Sequence, residues 1–223
     1  MANSGNDILR KLVLYLVPMI LSLSVHEFAH ALVATRLGDD TPEREERLTL
    51  SPAAHIDLFG SILIPVISIV TTGAAFIGWA KPVNITPSHF RRGVNMRTGL
   101  AIASAAGPLS NLLLAILAMG LIVLTTRFGW LTGASPMQIA LAQLLRAFFS
   151  INVGLCVFNF LPIPPLDGSR LLPRSLDDLV EKMGNYSFML IILVMMAPPL
   201  RGALIEWPME MLTRGILSLF GAR

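Results

Sequence analysis

The sequence predicts an all-α polytopic membrane protein of about five to six membrane segments with a small β-strand element, on three observations. Hydrophobic residues make up 54% of the 223 residues and charged residues only 14%, against about 25% charged in an ordinary soluble domain. The apolar residues lie in long blocks, several of them near the roughly 20 residues that cross a bilayer. Ionisable side chains interrupt one of these blocks at helical spacing. One membrane-embedded domain over 1–223 accounts for the whole length. The net charge of +3 arises because the apolar blocks exclude acids, so it gives no reason to expect nucleic-acid binding. Cys156 is the only cysteine, which excludes an internal disulfide and a multi-cysteine metal site and leaves packing as its role.

The first helix is expected from about Ile8 to Leu37, closed by Gly38, with Pro18 either kinking it or accommodated as membrane helices allow. Arg10 and Lys11 ahead of the apolar run suggest a secretory signal. The pattern continues through Phe28 and Ala31 to Leu37 without a small-residue cleavage site, so that reading is rejected. Asp39 to Arg47 is dense in charge of both signs and belongs in water. Arg47 to Leu50 and Phe76 to Ile85 are expected as short strands. Leu58 to Trp79 is apolar enough to enter the bilayer, but Gly60, Pro65 and Gly73 interrupt it, which leaves open a span or a dip.

Lys81 to Arg97 holds Lys81, Arg91, Arg92 and Arg97 without an acid, a pattern the positive-inside rule assigns to the cytoplasm. Spans follow from about Thr98 to Thr126 and from Met137 to about Phe160. A further span is expected within Met183 to Leu200, after the proline-rich Leu161 to Pro173 and a polar stretch with Asp177, Asp178, Glu181 and Lys182. Ala203 to Phe220, with Glu206, Glu210 and Thr213 on one face, reads as an interfacial or loosely inserted helix.

Residues 26–30 read HEFAH. On a helix the i, i+4 spacing brings His26 and His30 onto one face, within reach of one metal ion, and Glu27 projects beside them as a general base for metal-assisted hydrolysis. Two buried histidines with a satisfied glutamate are the bland alternative. Each charged group inside an apolar helix costs about 2.5 to 3.5 kcal/mol on insertion scales, so function is the default explanation. A catalytic zinc needs a third protein ligand and an open position. Asp167 stands out because Pro162, Pro164 and Pro165 enforce an extended approach and Gly168 permits a turn just after it. On its surroundings alone, Asp167 reads equally as a ligand or as a helix stop facing solvent.

HEFAH in a first membrane helix, AAGPLSN heading a later one and NFLPIPPLDGSRLL after another together resemble the site-2 protease family of intramembrane zinc metalloproteases. LSPAAHIDLFGSILIP and GWAKPVNITPSHF are similar to its short prokaryotic members, and the likeness runs from about Leu21 to Leu172. The resemblance implies Zn2+ as cofactor, His26, His30 and Asp167 as its ligands, and Glu27 as the catalytic glutamate. It also implies that Asn159 helps hold the substrate or its oxyanion, beside the alternative that Asn159 caps a helix. Gly107, Pro108 and Asn111 match the family's GPxxN pattern and are read as close-packing scaffold. His55 and His89 are read as structural, not as ligands. Short relatives often have arginine where this chain has Ala54. The length leaves no room for a peptide-binding insertion such as a PDZ domain.

The implied partners are transmembrane protein or peptide substrates and the lipid bilayer. The implied location is a prokaryotic cell membrane. Zinc-to-ligand bonds are about 2 Å long, so His26, His30 and Asp167 must share one depth. The two spans between Thr98 and Phe160 cross out and back, which makes Leu58 to Trp79 re-entrant. With the basic block cytoplasmic, the site lies toward the cytoplasmic face and the N-terminus outside, although Arg10 and Lys11 weigh the other way. A substrate helix must unwind for hydrolysis, and the expected strands suit pairing with it. Two rivals are a noncatalytic scaffold of the same fold, which has no need of Glu27, and a metal-ion transporter, which would place metal-binding residues on several helices. Two imidazoles and a carboxylate also suit iron, cobalt or manganese.

Overall fold

The computed structural model describes residues 3–72, 78–131, 133 and 135–221. Three helices among them are long and apolar enough to cross a bilayer: α1 (Asn3–Leu37), α3 (Met96–Arg127) and α4 (Pro136–Asn159). Pro18 lies within α1 without ending it. Asn95 caps α3 by accepting from the amides of Arg97 and Thr98, and Ser135 forms a reciprocal capping box with Gln138 ahead of Pro136 on α4.

The three helices pack antiparallel in turn. Association inside a bilayer depends on close packing instead of hydrophobic transfer, and α3 turns its small residues inward: Ala103, Gly107, Ala115 and Ala118 are buried. Leu109, Leu113, Leu117, Leu121 and Leu124 form its exposed stripe, the apolar exterior expected of a lipid-facing helix.

Helix α2 (Leu58–Thr72) begins as a π-helix and has 15 residues, a rise of about 22 Å against a hydrocarbon core of about 30 Å. It is too short to cross unaided, as a re-entrant segment requires. Within Met183 to Leu200, where a span is expected, the helix α6 (Ser187–Met196) has 10 residues, a rise of about 15 Å against about 30 Å of hydrocarbon. It is bent by 86° from α5 (Asp177–Gly184), so the described residues hold three helices fit to span, or four if this pair counts as one, and do not establish the five to six membrane segments expected. The tail forms α7 (Trp207–Leu219). Its Ile216 is buried against Ala115, Met119, Phe149 and Val153 of α3 and α4.

No strand occurs among the described residues. Residues 48 and 49 are bends, and Gly78 to Ile85 is extended but joins no ladder; Phe76 and Ile77, the start of the second expected strand, lie outside the described residues. The two segments do meet, through a side chain. The Arg47 guanidinium donates to the carbonyls of Lys81 and Pro82, filling acceptors that a ladder would have used.

At the same end of the bundle, the buried Asp39 accepts from the amides of Thr41 (3.0 Å) and Thr86 (2.6 Å), pinning the end of the extended segment beside α1. Burial raises the Asp39 pKa, but these bonds and the nearby His89 outweigh it and hold the carboxyl below its ordinary range.

Candidate metal centre

His26 and His30 lie one turn apart on α1, and their Nε2 atoms approach to 3.0 Å. Asp167 brings its Oδ2 to 3.2 Å from each of them. The imidazoles are 3% and 6% exposed. The pair expected from helical spacing and the carboxylate 137 positions beyond His30 (167 − 30) thus meet at one point.

Their far sides fix the proton positions. His30 Nδ1 lies 2.7 Å from the Ala103 carbonyl oxygen, and because a carbonyl only accepts, Nδ1 carries a hydrogen, which in the neutral imidazole leaves Nε2 the lone pair. His26 Nδ1 lies 2.6 Å from Asn111 Oδ1. The Asn111 amide nitrogen is spent on Asn152 Oδ1 at 2.9 Å, so its oxygen faces His26 and the same tautomer follows. With both imidazoles neutral, two lone pairs and a carboxylate oxygen converge. A divalent cation satisfies such a set, and two neutral imidazoles with one carboxylate are donors that suit zinc.

The sequence builds this closeness with two glycines. A Cβ on Gly107 would fall 2.6 Å from His26 Cε1 and nearer still to His30 Nε2, so α3 abuts the imidazole pair only because position 107 has no side chain. A Cβ on Gly168 would meet the Leu161 carbonyl oxygen at 2.5 Å and that of Phe160 even closer. The turn after Asp167 therefore folds under the end of α4 only as glycine. Leu161, Ile163 and Leu166 anchor this loop against Val194 of α6. Arg97 ties its far end to α3, donating to the Leu172 carbonyl at 2.6 Å and to both oxygens of Asp177 at 2.7 and 2.8 Å. Those bonds hold the Asp177 carboxyl below its usual range.

Glu27 is 8% exposed, and its Oε2 accepts the Val83 amide at 2.8 Å. Val83 sits in the extended segment, whose Trp79 and Lys81 amides bond the carbonyls of Gly60 (3.3 Å) and His55 (2.9 Å). A cavity of about 1090 Å³ leads from Glu27 and Asp167 between α1, α4 and α6, walled mainly by apolar residues such as Met19, Leu155, Phe158 and Ile191. Asn159 lines it too, with its amide donating to the Leu155 carbonyl at 3.0 Å.

His55 is buried apart from this group, its Nε2 donating to the Thr49 carbonyl. His89 lies near Asp39 and Asp40 at the exposed end. Asn152, Ser22, Val83 and Arg47 escaped the sequence reading. Asn152 carried a signal: an amide inside an apolar helix is expensive unless partnered.

The family profile of peptidase family M50 matches residues 128–198, a stretch that holds Asn159 and Asp167. "Putative zinc metalloprotease YwhC" of Bacillus subtilis is 38% identical over 211 residues, 92% of this chain and 90% of that protein. "Putative zinc metalloprotease Rip2" of Mycolicibacterium smegmatis is 30% identical over 192 residues, 84% of this chain and 68% of that protein. No solved structure matches the chain at significance. With more than a third of its residues shared along nine-tenths of a relative's length, and three helices fit to cross a bilayer, this integral membrane protein belongs to peptidase family M50.

Proposed function

We propose that the protein is a zinc-dependent endopeptidase that hydrolyses peptide bonds within transmembrane segments of other proteins, with its site toward the cytoplasmic side. The observation that carries this reading is the convergence of His26 Nε2, His30 Nε2 and Asp167 Oδ2 within 3.2 Å of one another beside a buried glutamate. The names of the relatives add zinc and proteolysis.

His26, His30 and Asp167 hold the metal. Bound there, zinc would supply Lewis acidity, which lowers the pKa of water and polarises a carbonyl. Glu27, fixed through Oε2 by Val83, takes the proton of the attacking water at Oε1 and passes it to the nitrogen of the leaving chain. Asn159 uses its second amide hydrogen, the one not given to Leu155, to stabilise the developing oxyanion. The mainly apolar cavity takes an unwound membrane segment, which runs beside Trp79, Ala80, Pro82 and Val83.

The side of the membrane rests on the block of Lys81, Arg91, Arg92 and Arg97, of which Arg91 bonds the Leu37 carbonyl at the end of α1 and Arg97 lies in the first turn of α3. Of the two groups of metal-ligand donors among the described residues, His26, His30 and Asp167 lie on one helix and one loop beside the cavity, whereas Asp39, Asp40 and His89 lie at the exposed end, so they do not line a path through several helices as transport would need.

The test is cleavage of a synthetic transmembrane peptide by the purified protein in liposomes. Chelation is expected to abolish cleavage and stoichiometric zinc to restore it; cleavage that persists in metal-free protein contradicts the proposal.

A further inference from the structure

We infer that Asn152 is a positioning residue for the metal centre: through Asn111 it sets which nitrogen of His26 is left free for the metal. This rests on the zinc reading above and deepens it. Phe148 presents a main-chain carbonyl, which accepts and never donates, so the end of the Asn152 side chain 2.8 Å from it is the nitrogen. That nitrogen also donates to Ser22 Oγ at 2.8 Å. The oxygen of Asn152 therefore faces Asn111, at 2.9 Å, and receives its amide nitrogen. The Asn111 oxygen is left to face His26 Nδ1 at 2.6 Å, where it requires a hydrogen.

Polarity thus passes from a helix carbonyl through two side chains to one imidazole. Asn111 and Asn152 are both 0% exposed, so no water substitutes for a missing member. His30 needs no such device, because Ala103 offers it a carbonyl directly.

Without Asn152, the Asn111 amide is held only by the Ser22 carbonyl at 3.4 Å, a weak contact, and its two ends become nearly equivalent. A turned amide would present nitrogen to Nδ1 and move the imidazole hydrogen to Nε2, where it blocks the metal. Outer partners of ligating histidines are worth about 10- to 100-fold in metal affinity. The residual Ser22 contact puts Asn152 near the lower end, about 10-fold.

The test is zinc affinity, measured by competition with a chromophoric chelator on the purified protein in detergent, for wild type, Asn152→Leu, Asn111→Asp and the double variant. Asn152→Leu is expected to weaken zinc about 10-fold in the wild-type background. In the Asn111→Asp background it is expected to cost nothing, since a carboxylate accepts from His26 whichever way it turns. If Asn152 only packs helices, the loss is the same in both backgrounds. An equal loss, or none in the wild-type background, overturns the inference. Should Asn152→Leu accumulate poorly, Asn152→Ala in the same two backgrounds carries the same expectation. Absence of zinc binding by wild type is a separate outcome that removes the zinc reading itself.

Discussion

Glu27→Gln is expected to lower peptide cleavage by about 10²- to 10⁴-fold, the range for loss of a positioned proton-transfer group, while zinc content stays at the wild-type level. The substitution keeps the shape of the side chain and an oxygen to accept the Val83 amide. It removes only the capacity to take a proton. Glu27 is not among the three converging donors, so a general base and a ligand predict different results. Measured together, cleavage rate and bound zinc separate them: loss of both would place Glu27 in the metal shell, and survival of cleavage would remove the proposed mechanism.

Gly107→Ala is expected to do the reverse, costing zinc and cleavage together with little change in folding. Alanine favours a helix over glycine by about 0.5–1 kcal/mol, while overpacking costs about 1–3 kcal/mol, so the net loss of stability is at most about 2.5 kcal/mol. The site has no comparable relief. The added methyl would lie 2.6 Å from His26 Cε1, and both imidazoles are tied behind by Nδ1 bonds of 2.6 and 2.7 Å. Ligand distances hold to within about 0.2 Å in a working metal site. We expect zinc affinity to fall by more than about 10-fold and cleavage to be lost, with the thermal midpoint lowered by only a few degrees. Wild-type zinc affinity in Gly107→Ala would mean that α3 does not crowd the histidines as described.

The histidine pair was legible because helical spacing is fixed: HEFAH on any helix puts two imidazoles on one face. Asp167 was not legible from its surroundings, since PIPPLDG reads as a stop as readily as a ligand loop, and the resemblance decided it. What brings the loop home is Gly168 under the carbonyls of Phe160 and Leu161, together with Leu161, Ile163 and Leu166 packed against α6. These are contacts between segments, which local pattern does not encode.

The expected strands were misread because β-forming residues around Arg47 and Val83 find partners other than a ladder. An arginine side chain, the His55 carbonyl and the Glu27 carboxylate use the backbone groups instead. The apolar run after Met183 reads as long enough to span, but its helix α6 has only 10 residues and stands at 86° to the polar α5 before it. The GPxxN motif marks Asn111 only as scaffold, and the apolar length of α4 hides its one buried amide, Asn152.

Zinc K-edge absorption on the purified wild-type protein, freed of any histidine tag, tests the central claim most directly. One zinc per chain is predicted, with two imidazole nitrogens at about 2.0–2.1 Å and carboxylate oxygen at about 2.0–2.2 Å, and with the carboxylate contribution lost in Asp167→Ala. A spectrum with fewer than two imidazoles, or one unchanged by Asp167→Ala, would contradict it.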